Sequence, residues 1–199
     1  MDQKLLPFAL QDVPRYTSYP TAVQFNDGFS GGLADQWLAD LHPAGDLSIY
    51  VHIPFCQQLC WYCGCNTSVP NSYARASSYV ESLITDIARS AAMSGAGKGH
   101  VRHLHFGGGT PTYLSNADLA RIMAAINEGF GFAPHAEIAL ESDPRGITRD
   151  RAFGLAALGF NRITFCVQDF ALPVQMKINR LQTHGLVAHA TELLREAGF

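Results

Sequence analysis

The chain has 199 residues, 47% of them apolar and 16% charged, with 18 Gly and 10 Pro, so it reads as a globular protein able to bury roughly 70% of its unfolded surface without disulfide staples. Its 14 basic and 17 acidic side chains leave a net charge of −3, which lacks the basic footprint of a nucleic-acid binder. The opening MDQKLLPFALQDVPRY breaks its short apolar patch at Pro7 and carries Asp2 where a signal peptide is basic, and no run reaches the length of a membrane span. A cytoplasmic chain with no nucleic-acid or membrane partner is expected, in a compartment where thiols stay reduced.

Residues 1–46, with Pro7, Pro14, Pro20 and Pro43, read as an extended arm with one short helix around Leu33 to Leu41. From Leu47 onward, β-rich runs alternate with helical periodicity, which predicts an α/β fold of βα units around a parallel sheet. SIYVHI (48–53) is the first strand. A helix follows from about Tyr73 to Met93, with Tyr79, Val80, Leu83, Ile84, Ile87 and Ala91 on one face, and SGAGKGH ends it. VRHLHF (101–106) is the second strand; after GGGTPT, Ser115 and Asp118 stand at capping-box spacing before Leu119, Ile122, Met123 and Ile126. EIALES (137–142) is the third strand, and the helix after it, Thr148 to Leu158, stops at Gly159. RITFCV (162–167) is the fourth strand, and Thr183 to Ala197 the last helix. Four βα units are therefore expected in residues 47–199, and the sequence reads as cut short where another strand would ordinarily begin.

Four of the five cysteines lie at 56, 60, 63 and 65, and crowded thiols in a reducing compartment point to metal before disulfide. Cys56, Cys60 and Cys63 form C-x3-C-x2-C in the loop leaving the first strand, at the end of the sheet where βα folds place their ligands. Three thiolates can hold three irons of a 4Fe–4S cluster and leave the fourth open to a small molecule. The alternative is a structural zinc closed by Cys65; the spacing favours iron and sulfur, because zinc sites usually show a second C-x2-C pair and the later chain offers only Cys166.

Other residues have a functional and a plainer reading. Gly107, Gly108 and Gly109 remove side chains between a strand and a helix start, where free N–H groups attract oxygen ligands, or they make a tight turn. SGAGKG lacks the ending of a phosphate loop and reads as a linker. Glu141 could accept two ribose hydroxyls or pair with Arg145. Gln168 and Asp169 could simply cap a turn, and Arg180 be a solvated helix-end charge. His52 reads as a packed histidine; His103 and His105 share a face and could be a metal pair. Trp61 and Tyr62 are loop aromatics, or a shield for a cluster between ligand cysteines.

The run YVHIPFCQQLCWYCGCNT (50–67) resembles the radical S-adenosylmethionine (SAM) enzymes, whose hallmark is C-x3-C-x-aromatic-C, with Tyr62 as the aromatic. With CGCN, RYTSYPTAVQF (15–25), HFGGGTPTYL (105–114), ESDPR (141–145) and VQDF (167–170), the chain is similar to the first half of the oxygen-independent coproporphyrinogen III oxidases of haem biosynthesis. The resemblance implies a partial radical-SAM (βα) barrel, of which these are the first four βα units behind an extended N-terminal arm. It implies a 4Fe–4S cluster on Cys56, Cys60 and Cys63, with Cys65 not a ligand. A SAM molecule would chelate the open iron near Tyr50, Tyr62, Gly108, Gly109, Thr110 and Glu141, and a second SAM would meet Gln168 and Arg180. It implies a porphyrinogen substrate, a flavodoxin or ferredoxin as electron donor, and decarboxylation of two propionates to vinyl groups through a 5′-deoxyadenosyl radical; no catalytic side chain is assigned. Cys166 and Ser142 depart from the family pattern, where glycine and an aliphatic residue usually stand. A haem-binding chaperone of the same superfamily and an inactive cluster-binding fragment are the alternatives; Cys65 and the RYTSYPT arm favour the oxidase. On the same resemblance the last strands and a covering domain are absent, and slow turnover is expected of the chain as given.

Overall fold

The computed structural model describes residues 21–28 and 30–199, so residues 15–20 of the arm motif lie outside the described residues. The chain divides into two units, residues 1–36 and 37–199. The described part of the first holds a 3-10 turn at Ala22–Gln24 and the opening of helix α1 (Gly31–Ala39), two residues ahead of the expected helix.

The second unit runs β1 (Leu47–Ile53), α2 (Ala74–Met93), β2 (Val101–Gly108), α3 (Asn116–Gly129), β3 (Phe132–Ser142), α4 (Arg149–Ala157), β4 (Arg162–Phe165), α5 (Leu172–Lys177) and α6 (His184–Glu196). The strands form one parallel sheet in the order β1-β2-β3-β4, the α/β architecture that alternating strands and helices predict. Strand periodicity of two puts Val51, Ile53, Leu104, Phe106, Ile138 and Leu140 on one buried face. Against them pack Val80 and Ile87 of α2 and Leu119, Ile122 and Ile126 of α3. The opposite face carries Tyr50, His52, His103, His105 and Glu141, and Tyr50 is 58% exposed. A sheet covered by helices on both sides would be apolar on both; here helices pack on the apolar face, and the polar face is left partly exposed.

Helix ends follow local chemistry. Ser115, Thr148 and Thr183 each accept a hydrogen bond from the backbone N–H three residues on, at 3.1, 3.2 and 3.2 Å, which satisfies one of the free donors of each first turn. Gly159 ends α4 with φ 93°. The glycine-rich connector after α2 is tied to residues 38–43, with Gly95 N–H donating to Leu38 O at 2.9 Å and Gly97 N–H to Pro43 O at 2.8 Å, in keeping with a linker.

Beyond shifts of one or two residues at other element ends, two boundaries and one helix of this unit differ from the sequence pattern. β3 starts five residues before Glu137, because pairing jumps from Val101↔Phe132 to His103↔Glu137, and the extra residues bulge with Pro134 unable to donate and His135 left-handed at φ 60°. β4 stops at Phe165, since Val167 N–H turns back to Phe165 O at 3.0 Å. Helix α5 is not foreseen; at six residues it is too short to show a period.

Candidate functional site

The cysteine loop hangs from a closed base. Ser68 N–H donates to Pro54 O at 2.9 Å and Cys56 N–H to Ser68 O at 3.0 Å, so residues 56–67 project from the carboxyl end of β1. All five cysteines are free thiols; Cys56, Cys60 and Cys63 are half-buried and Cys65 is exposed. Cys56 Sγ lies 3.3 Å from Thr67 Oγ1 and 3.5 Å from Thr110 Oγ1, and Cys63 N–H closes a turn onto Cys60 O at 3.0 Å. Burial, then the neighbouring Cys63, pushes the Cys65 thiol up. Burial, then the adjacent Cys60, pushes the Tyr62 phenol up to about 12.

Among the described residues no three His, Cys, Asp or Glu side chains converge as a single ion would require. A four-iron cluster spreads its thiolates wider than one ion does, and three free thiols on one loop are the donor set it takes. The residues present fit such a cluster.

Gly107 and Gly108, which end β2, and Gly109 just after it face the loop and β1. A Cβ on Gly107 would stand 2.8 Å from the Tyr50 ring, one on Gly108 2.8 Å from the His52 ring, and one on Gly109 2.7 Å from Phe55 O and 3.0 Å from Cys56 Sγ. The room that glycine leaves here is thus taken first by β1 side chains and the cysteine loop. Gly109 N–H donates to Ile53 O and Thr110 N–H to Phe55 O, at 2.9 and 2.8 Å, so this turn and the cysteine loop are one hydrogen-bonded unit.

On the polar sheet face the Tyr50 hydroxyl and His52 Nδ1 are 3.1 Å apart, and His52 Nε2 is 2.8 Å from Asn66 O. His52 is thus hydrogen-bonded at both ring nitrogens, as expected of a packed strand histidine. Tyr50 stacks on His105 with centroids 6.0 Å apart and planes 11° from parallel, and His105 Nε2 reaches Glu141 Oε1 at 3.5 Å. Burial, then the Glu141 charge, pushes the Tyr50 phenol up, which keeps it a donor. Glu141 does not pair with Arg145 as its plainer reading has it; Arg145 instead clamps Asp143, with Nε 3.0 Å from both carboxylate oxygens and Nη2 2.6 Å from Oδ2.

Arg180 is no solvated helix-end charge. It is 6% exposed, with Nη1 2.9 Å from Asp143 Oδ2 and 3.7 Å from Cys60 Sγ, Nη2 donating to Cys166 O at 3.1 Å, and Nε facing Gln182 Oε1 at 3.4 Å. Burial would raise the Asp143 carboxyl, but hydrogen bonds from Arg145 and the charges of both arginines hold it below the usual range. Gln168 is exposed, three residues beyond β4, while Asp169 does cap the next turn, accepting from Ala171 N–H at 2.6 Å. The Cys166 thiol is pushed up by burial and then by Glu141, and its backbone carbonyl accepts from Arg180.

The structure therefore gathers Tyr50, the cysteine loop, the glycine turn, Glu141 and Arg180 at the carboxyl edge of the sheet. Asp143, Asn179 and Gln58 join them unforeseen: Asn179 donates to Leu59 O and accepts from Gln58 Nε2, both at 2.9 Å. The position of Asp143 within ESDPR was the available signal; nothing local marks Asn179.

A model of the Radical SAM superfamily matches residues 50–199. An oxygen-independent coproporphyrinogen III oxidase of Escherichia coli strain K12 is 45% identical over 186 residues, covering 94% of this chain and 40% of that protein. Its counterpart in Bradyrhizobium diazoefficiens is 41% identical, covering 94% and 41%. A solved structure of coproporphyrinogen III oxidase from Escherichia coli, described as a radical SAM enzyme, superposes with a TM-score of 0.84 at 43% identity, covering 92% of this chain and 42% of that one. The chain spans about two fifths of the length of the curated relatives it matches. With four parallel βα units, a loop of three ligand-spaced cysteines at their carboxyl edge and a family match from Tyr50 to the last residue, the chain belongs to the Radical SAM superfamily.

Proposed function

We propose that this chain is the cluster- and SAM-binding portion of an oxygen-independent coproporphyrinogen III oxidase, which converts two propionates of coproporphyrinogen III to vinyl groups in haem biosynthesis. Membership of the superfamily implies a 4Fe–4S cluster and SAM. The observation that carries the finer reading is the meeting of the C-x3-C-x2-C loop with Gly109, Thr110 and Arg180, through Cys56 and Cys60, in one hydrogen-bonded cluster. The similarity to oxidases over 94% of the chain supports the choice of substrate.

In this reading Cys56, Cys60 and Cys63 ligate the cluster, Tyr50, Tyr62, Gly108, Gly109, Thr110 and Glu141 hold one SAM, and Gln168 and Arg180 contact a second. A cluster held by Cys56, Cys60 and Cys63 would supply the one-electron reducing chemistry that SAM-dependent decarboxylation needs. The protein's own tasks are positional. The Tyr50 and His105 stack backs Glu141, leaving a carboxylate oxygen for ribose hydroxyls, and the turn at Gly109 fixes Thr110 beside Cys56. Residues 1–46 serve as an arm to the core at 47–199. The setting is cytoplasmic, and the electron comes from a flavodoxin or ferredoxin. Among the described residues no helix is long and apolar enough to cross a membrane.

Anaerobic reconstitution tests the site. About four irons and four sulfides per chain are expected; Ala at Cys56, Cys60 or Cys63 abolishes the brown chromophore, and Cys65→Ala keeps it. Adding SAM to the reduced protein changes its electron paramagnetic resonance spectrum, and Glu141→Ala weakens that response without loss of iron. Zinc in place of iron, or full cluster in all three single variants, refutes the assignment.

A further inference from the structure

The connection between α5 and α6 does more than join two helices. Trp61 N–H donates to Ile178 O at 3.1 Å, Asn179 bridges Leu59 and Gln58, and Arg180 reaches Cys60. Three consecutive residues thus grip the stretch from Gln58 to Trp61, which lies between the first and third cysteines of the loop. Asn179 adopts φ 56° to do so, a conformation asparagine tolerates better than most residues. The grip is itself braced. Buried Gln175 accepts from Gln182 N–H at 2.9 Å and donates to Gln182 O and Asp169 O, each at 2.9 Å. Arg145 adds a bond from Nη1 to Gln58 Oε1 at 3.1 Å.

We infer that Arg180 is a positioning residue for the cluster: its buried guanidinium, oriented by Asp143 and the Cys166 carbonyl, donates an N–H···S hydrogen bond to Cys60 and makes the bound cluster easier to reduce. Reduction adds one negative charge at the cluster, and a buried cation bonded to a ligand sulfur stabilises that charge more than the oxidised state. With Asp143 between two arginines, the group beside Cys60 carries a net positive charge, in surroundings where burial limits screening. This role concerns the cysteine side of the guanidinium and is separate from a contact with a second SAM. It rests on the cluster reading proposed above.

The test is the midpoint potential of the reconstituted protein without SAM, followed by spectroscopy during a dithionite titration, beside its iron and sulfide content. Arg180→Gln shifts the midpoint to lower potential with iron content retained, and Arg180→Lys, which keeps the charge but not the fixed fork, falls between the two. Asp143→Asn shifts it the opposite way, because the carboxylate that offsets Arg180 is gone; this variant decides the matter if Arg180→Gln fails to fold. An unmoved midpoint in a fully loaded Arg180→Gln, or an unmoved or lowered one in Asp143→Asn, overturns the inference. Unaltered protein that takes up no iron and sulfide refutes the cluster reading itself, and this inference with it, so the two failures are told apart by the loading measurement.

Discussion

Gly108 and Arg180 show what single positions contribute and how far sequence exposes it. Gly108 has φ 110°, and a Cβ there would meet the His52 ring at 2.8 Å. That ring is pinned between Asn66 O and the Tyr50 hydroxyl, so it cannot yield cheaply. Gly108→Ala should cost about 2 kcal/mol, read as a lower urea midpoint, and an unchanged midpoint would show that His52 moves freely. The glycine run itself was legible, but its first occupant was not, because Tyr50 and His52 come from another strand. The burial of Arg180 was hidden for the same reason: a charged residue beyond a helix is ordinarily solvated, and only the fold brings Asp143 and Cys60 to it. Asp143→Asn should destabilise the fold by about 3 kcal/mol near neutral pH, since it strands a buried guanidinium. Because the folded Asp143 carboxyl titrates below its ordinary value of about 3.9, its contribution is complete above that value and is lost as pH falls through the depressed folded one. The stability gap between the two proteins should therefore hold steady from neutrality to the usual carboxylate range and narrow below it; a gap that persists undiminished in acid would refute the depressed carboxyl.

At the scale of elements, the sequence was most informative where a local signal suffices. Ser115 and Asp118 announce the start of α3, and the structure adds that the Tyr73 hydroxyl donates to Asp118 Oδ2 at 2.6 Å and accepts from Ser115 N–H at 2.7 Å. Ser115→Ala should cost about 1 kcal/mol, with helix signal lost at a lower temperature; no change would mean that Tyr73 alone caps this end. The alternation in SIYVHI and VRHLHF likewise marks β1 and β2 directly. It fails at the start of β3, where FAPHA pairs only through a bulge around Pro134 and His135, and at α5, whose side chains Leu172 and Met176 are both 61% exposed and so carry no amphipathic pattern. Both are settled by neighbours distant in sequence: the edge of β2 in one case, and the Gln175 clasp on Gln182 in the other.

Across the core unit, the same sheet divides labour between its faces. The apolar face joins β1, β2 and β3 to α2 and α3 in one large cluster, while a smaller one, Ile147, Ala152, Ala190, Leu193 and Leu194, holds α4 to α6. Ile163 of β4 and Phe199 pack against both, so the two cores share a seam rather than a centre. The site sits along the carboxyl edge of this sheet. Its β1 and β2 side, with the cysteine loop and glycine turn, rests on the larger core; its β4 side, with Arg180 and α5, rests on hydrogen bonds and the smaller one. Stability should follow that division, because opening a region costs least where little apolar surface is buried. Native-state hydrogen exchange should find the slowest amides at Val51, Leu104, Phe106 and Leu140, and much faster exchange through α5 and the segment 178–182. Leu140→Ala, at a position with no exposed surface, should cost on the order of 3 kcal/mol and loosen the whole sheet, whereas Leu193→Ala should cost less and speed exchange chiefly in α4 and α6. Uniform exchange across both regions would show a single cooperative unit. Cluster loading then supplies the second half of this test: if the Ile178–Arg180 segment grips the cysteine loop, bound cluster should slow exchange in α5 and residues 178–182 more than in α4, and equal slowing in both would detach that segment from the site.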